Sequence, residues 1–289
     1  MMKTDQMPPG RRALLRCAAV LGVATTARLL TADTAGTPGR TAARTAAAGP
    51  AAGPQTGRPA TSPVRASAYR LRPMTGYGPQ RGAPARPPVR RAPILRLPGR
   101  VRSMVLSFDD GPDPRYTTDI LRTLRRHDAR AMFFVCGEMA AAHPDLLREM
   151  VDDGHVIGNH TWSHPLLPRL SRASIRRQME RTCDIVDATV GRPPEWFRAP
   201  YGAWNRAAFE LGAELGMEPL AWTVDTLDWR TPGTGTIVRR VLGGAGPGVV
   251  VLSHDAGGDR SQSVHALRAY LPELLDAGYR LTVPSRYRS

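Results

Sequence analysis

Asp109 and Asp110 stand side by side in Ser107-Phe108-Asp109-Asp110-Gly111-Pro112. Adjacent carboxylates repel each other unless a cation or a partner neutralises them. The same Asp-Gly-Pro run is also ordinary turn chemistry. Asn159-His160-Thr161-Trp162-Ser163-His164-Pro165 places two histidines four residues apart. That spacing can bring two imidazoles to one face of a helical turn, and imidazole is the commonest zinc ligand. Two histidines and one carboxylate with an open fourth position match catalytic-zinc stoichiometry. Residue types do not say which aspartate would be the ligand. In Arg198-Ala199-Pro200-Tyr201-Gly202 the arginine can hold a carboxylate by a bidentate contact. Asp225-Thr226-Leu227-Asp228-Trp229 and Leu252-Ser253-His254-Asp255 complete the set. There His254 is a candidate proton donor and Asp228 a candidate orienter that raises its basicity. Each cluster alone has a structural explanation; five in order, each just after a strand, form a strong signal.

The elements that must position these clusters begin at Val101. Apolar runs predict strands at Ser103–Phe108, Ala131–Cys136, His155–Gly158, Trp196–Phe197, Leu220–Val224, Val249–Leu252 and Arg280–Val283. Helical spacing predicts Thr117–His127, with Ile120, Leu121 and Leu124 on one face, and Pro144–Asp153, ended by Gly154. It also predicts a long helix over Ser171–Val190, and others over Arg206–Leu215, Thr236–Leu242 and Ser263–Ala277. Seven strands alternating with six helices imply an α/β fold with a barrel-like parallel sheet, in which chemistry gathers at the C-terminal ends of the strands.

The remainder of the chain is of another kind. Of 289 residues, 1–100 hold 17 basic and 2 acidic side chains, which leaves 23 of each sign in 101–289. The high isoelectric point therefore belongs to the N-terminal arm and speaks against a folded nucleic-acid binder. Arg11, Arg12 and Arg16 precede an apolar stretch from Cys17 to Ala27. This reads as an export signal or N-terminal anchor over residues 1–35, with a twin-arginine resemblance, and too short for a spanning helix. Residues 36–98 are rich in Pro, Ala and Arg and read as a disordered linker. Their simplest role is a spacer; the sharper one is electrostatic contact with anionic wall polymers. Residues 99–289 read as the catalytic domain. Three cysteines make no disulfide scaffold, and Cys136 and Cys183 read as buried thiols with a bridge between them as the alternative. His127, His143, His155 and His265 receive structural readings, as do Trp196, Trp204 and Trp222, and Asp255 and Asp259 are assigned no role.

From about Val101 to Val283 the chain resembles a polysaccharide deacetylase of the NodB-homology type, carbohydrate esterase family 4. The Thr-Phe-Asp-Asp-Gly motif of that family stands here as Ser107-Phe108-Asp109-Asp110-Gly111, a departure that keeps the hydroxyl. The His-x-x-x-His, Arg-x-Pro-Tyr, Asp-x-x-Asp-Trp and Leu-x-His motifs match without change. Residues 1–100 lie outside the resemblance. It implies a distorted (β/α)7 parallel barrel and one divalent metal ion, Zn2+ first, with Co2+ or Mn2+ as alternatives. By the same resemblance Asp110, His160 and His164 are the metal ligands, Asp109 the general base and His254 the general acid. Asp228 keeps His254 charged, Arg198 aims Asp109, the Tyr201 N–H meets the oxyanion, and Trp229 and Leu252 shape the acetyl pocket. The implied reaction is hydrolysis of N-acetyl groups on an N-acetylhexosamine polysaccharide, peptidoglycan before chitin-like oligosaccharides, by an exported monomer. The alternatives are an acetyl-xylan O-esterase, a catalytically silent wall-binding protein, and a polyanion binder that works through its arm.

Overall fold

The structure, a computed structural model, describes residues 86–98 and 102–284. The expected export signal, and the expected linker up to residue 85, lie outside the described residues. The parallel strands are β1 (Ser103–Asp109), β2 (Ala131–Val135), β3 (Val156–Asn159), β4 (Trp196–Phe197), β5 (Glu218–Pro219), β6 (Val224–Asp225), β7 (Val249–His254) and β8 (Arg280–Leu281). The helices are α1 (Thr117–Arg126), α2 (Gly137–Ala142), α3 (Pro144–Asp152), α4 (Arg172–Val190), α5 (Arg206–Glu214), α6 (Thr234–Gly243) and α7 (Ser261–Asp276). The sheet runs β5-β4-β3-β2-β1-β7-β6, with β8 added beside β1. β5 and β6 are not neighbours in this order, so the sheet curls into a barrel that does not close.

Strand periodicity decides what faces the barrel interior. Met104, Leu106 and Phe108 of β1 turn outward and pack with Leu121, Leu124, Val264 and Leu267 from the helices. Val105 turns inward with Met132, Phe134 and Val250. Successive side chains alternate faces, so Ser107 and Asp109 continue the inner row. The same alternation in β7 sends Val249 and Val251 to the helices and His254 inward. Asp109 and His254 are register partners across the β1–β7 ladder, so alternation and register together place an acid and an imidazole at one end of the barrel.

Helix ends follow local chemistry. α4 starts where the Ser171 side chain accepts the Ser174 N–H and stops at Gly191, whose φ of 75° is the left-handed cap that glycine adopts most readily. Its Ile175, Met179 and Cys183 pack on Phe197, Leu211 and Met217 in a second apolar cluster.

The structure departs from the sequence expectations at several points. The strand expected over Leu220–Val224 is replaced by two short ladders, β5 just before it and β6 starting at its last residue; Pro219 masks β5 because proline argues against a strand. The Gly-Ala-rich helix α2 went unpredicted. Residues before 99 also bond to the sheet: Ile94 donates its N–H to Pro219 O at 2.8 Å and accepts from Ala221 N at 2.8 Å, while the Leu97 N–H reaches Gly248 O at 2.9 Å. Cys136 and Cys183 are both free and buried, so the alternative of a bridge between them falls.

Candidate active site

The five clusters meet at one cavity of about 560 Å³, lined by Asp109, Asp110, His160, His164, Tyr201, Trp222, Trp229, Leu252 and His254, among others. Its centre is an acid–imidazole group. His164 Nε2 lies 3.3 Å and His160 Nε2 3.5 Å from Asp110 Oδ1. One donor atom from each of these three residues lies within 4.8 Å of the other two. Asp110 Oδ1 is buried and has no hydrogen-bond partner. A buried carboxylate oxygen facing two imidazole nitrogens, with no donor of its own, is the expected arrangement for a divalent cation.

The surroundings prepare the imidazoles for that task. His160 Nδ1 lies 2.8 Å from the Arg198 carbonyl, which fixes the proton there and frees Nε2. Burial, then the charge of His160, lowers the His164 pKa and favours the neutral ring that a metal needs. Burial works to raise Asp110, yet the facing His160 imidazole, with His254 and His164, brings it down to about 2.

The histidine loop is not the helical turn that the spacing suggested. Residues 160–164 form an irregular turn in which Thr161 (φ 69°) and His164 (φ 55°) are left-handed. Its backbone is held from outside. Gln178 of α4 accepts the N–H groups of Trp162 and Ser163 at 2.9 Å each, and the Asn159 side chain accepts that of Thr161 at 2.8 Å. The Arg181 guanidinium covers the Trp162 ring at 3.8 Å. Gln178 carries no motif signal, so sequence reasoning missed it.

Arg198 is wholly buried and its fork is divided among four acceptors. Nη1 donates to Asp109 Oδ1 at 2.6 Å and to Ser107 Oγ at 2.9 Å; Nε and Nη2 donate to the carbonyls of Leu220 and Ala221. The bidentate grip expected of Arg198 is thus a one-nitrogen contact. Its guanidinium lies 4.0 Å from the centre of the Phe134 ring.

On the far side of the cavity His254 Nδ1 lies 2.7 Å from Asp228 Oδ1, and the His254 N–H donates to Asp228 Oδ2 at 2.8 Å. Ser263 of α7 donates to the same Oδ2 at 2.6 Å, a contact absent from the sequence reading. Burial opposes a charge on His254, but the Asp228 bond and charge, with Asp110 and Asp109, raise its pKa to about 9. Tyr201 sits in a left-handed conformation (φ 61°), with its ring edge on His164 at 4.5 Å between centroids. Tyr201 and Trp229 are exposed, while Leu252 is buried in the wall. Of the remaining histidines, His155 is buried and takes the Ala131 N–H on Nδ1, away from the cation group.

Together, fold and site define a hydrolase built around a divalent-cation centre. A family model described as polysaccharide deacetylase matches residues 97–220. A peptidoglycan-N-acetylglucosamine deacetylase of Bacillus cereus is 38% identical over 188 residues, covering 64% of this chain and 68% of the relative. A chitooligosaccharide deacetylase of Rhizobium leguminosarum bv. trifolii is 36% identical over 191 residues, covering 62% and 89%. A crystal structure of a peptidoglycan N-acetylglucosamine deacetylase superposes with a TM-score of 0.63 at 36% identity, covering 65% of this chain and 89% of that one. The chain belongs to the polysaccharide deacetylase family.

Proposed function

We propose that the protein removes N-acetyl groups from N-acetylhexosamine units of a cell-wall glycan, peptidoglycan first and chitin-like oligosaccharides second. The observation that carries this reading is the facing of two groups across one cavity: the Asp110–His160–His164 cluster and the His254–Asp228 pair. The first fits a cation and the second a proton donor. Zn2+ suits two imidazoles and a carboxylate best. When bound, the ion supplies Lewis-acid polarisation of water and of the acetyl carbonyl.

The protein's own residues account for the remaining steps. Asp109, aimed by Arg198, takes a proton from the attacking water. The Tyr201 N–H receives the oxyanion of the tetrahedral state. Trp229 and Leu252 wall the acetyl group. An amine leaves poorly unless protonated, and His254 holds the required proton at neutral pH because Asp228 raises its pKa. This favours amide over ester cleavage, since an O-ester leaves without that help, and so ranks acetyl-xylan behind both amide substrates.

Residues 1–35 fit export and residues 36–85 a spacer that lets the domain reach a wall polymer. Among the described residues no helix is long and apolar enough to cross a membrane.

Acetate release from purified peptidoglycan, chitooligosaccharides and acetylated xylan, with and without chelator, tests the proposal. Release should be fastest on the first two and should stop with chelator. His254→Ala should lower it by about 10²–10⁴. Release indifferent to chelator rules the reading out.

A further inference from the structure

Asp255 follows His254 directly, and neither the motifs nor the reaction steps give it a task. Its carboxyl group is buried. Oδ1 accepts the Gly111 N–H at 3.1 Å, and Oδ2 accepts from Thr117 Oγ1 at 2.6 Å. Its own N–H donates to Asp109 O at 3.1 Å. Asp255 therefore holds the backbone on both sides of Asp110, at residue 109 through its amide and at residue 111 through its side chain.

Asp110 needs such support. Its φ of 79° is left-handed, a conformation that is uncommon outside glycine, though aspartate adopts it more readily than most residues. Its Oδ1 has no donor to hold it. The aim of that oxygen at the two imidazoles then depends on the backbone beneath it. Contact around Gly111 is close: a Cβ there would lie 2.1 Å from Asp255 Oδ2. From the other side the chain after Asp255 backs onto the Asp110 carboxylate, where a Cβ on Gly257 would lie 2.6 Å from Oδ2. Arg260 shapes that turn by donating to the carbonyls of Ala256 and Gly257.

We propose that Asp255 is a positioning residue that fixes Asp110 in its cation-binding conformation and ties the strand carrying His254 to the loop carrying the metal-binding carboxylate. This rests on the reading of Asp110, His160 and His164 as metal ligands. Asp255 touches neither substrate nor cation; it acts through the Gly111 amide.

The test compares the full chain with Asp255→Ala, Asp255→Asn and Thr117→Val. Zn2+ affinity is measured by competition with a chromophoric chelator, thermal unfolding in chelator, and kcat and KM at saturating Zn2+. Asp255→Ala should weaken Zn2+ binding about 10–100-fold, as loss of a partner that orients a ligand does. It should also lower kcat more than KM changes. Asp255→Asn keeps an oxygen for the Gly111 N–H and should recover most of the affinity. Thr117→Val, which removes the other bond, should fall between them. Should Asp255→Ala fail to unfold cooperatively in chelator, the other two variants decide: weaker binding by Thr117→Val than by Asp255→Asn supports the proposal, and wild-type binding by both overturns it. Asp255→Ala that folds and binds Zn2+ like the wild type overturns it alone. A wild-type chain that binds no divalent ion overturns it together with the metal reading.

Discussion

The His254–Asp228 pair shows how one residue acquires its chemistry from its neighbours. Burial alone would push the His254 pKa below its ordinary 6.5; the Asp228 carboxylate, itself oriented by Ser263, raises it to about 9. The folded state therefore favours the charged ring. The stability this contributes is complete below about pH 6.5 and is lost as pH rises through about 9. The proton needed for catalysis disappears over the same upper range. In Asp228→Asn the bond to a charge is gone while burial remains, so the pKa must fall. The alkaline limb of kcat should move to lower pH, and kcat at pH 7 should drop by about 10²–10⁴. A pH profile of kcat that keeps its wild-type alkaline limb in Asp228→Asn counts against the pairing. At this scale the sequence was informative because chemistry-bearing residues are rare types: seven histidines and one Asp-Asp pair at a strand end narrow the field to one constellation. It was uninformative about Gln178, Ser263 and Asp255. These act through backbone amides or another side chain, 15 or 16, 35 and 144 residues away along the chain, and no local pattern records such partners.

The elements were legible where many residues repeat a pattern. α1 buries the Ile120, Leu121 and Leu124 face that its spacing required, and α4 keeps its serine cap and glycine stop. Two-residue ladders such as β5 and β6 offer no period to read. The 160–164 turn misled because a four-residue spacing is shared by helices and by irregular loops. β3 adds a constraint that alternation explains. Gly158 faces inward beneath Phe134, where a Cβ would lie 2.5 Å from the ring, and the other face of that contact chain is the Arg198 guanidinium. Gly158→Ala must displace Phe134, and overpacking of this kind costs about 1–3 kcal/mol. The expected result is a lower unfolding midpoint and a lower kcat, since Arg198 aims Asp109. Phe134→Leu in the same chain should restore part of both by vacating the space. If thermal unfolding and kcat of Gly158→Ala both equal those of the wild type, the ring is not held as described.

For the molecule as a whole, the unclosed barrel poses the question of what covers its seam. β5 and β6 share no ladder, and the stretch from Arg90 to Leu97 bridges Leu220, just after β5, and Val249 of β7, the strand that pairs with β6. Arg90 pairs with Glu218 at 2.5 Å, Ile94 bridges to Leu220, and Arg96 bridges to Val249 on β7. Ile94 and Leu97 pack against the interior cluster that contains Trp196, Leu220 and Val250. Composition hid this segment. Pro87, Pro88, Pro93 and Pro98 and the arginines among them look like more of the preceding linker, and three apolar residues are too few to show a period. The physical consequence is that residues about a dozen positions before the first predicted strand bond to the sheet. A chain begun at residue 86 and one begun at residue 99 should therefore differ. The second loses three backbone hydrogen bonds, each worth about 0.5–1.5 kcal/mol net, and exposes apolar interior. The chain begun at residue 99 should therefore have the lower unfolding midpoint, at about 2–4 °C for each kcal/mol lost in a domain of this size. The cation group lies at the C-terminal ends of the strands while Arg96 and Leu97 meet the start of β7, so Zn2+ affinity should change far less than stability. Calorimetry of the two truncations beside a Zn2+ titration separates the effects; equal midpoints would show that the segment merely rests on the seam.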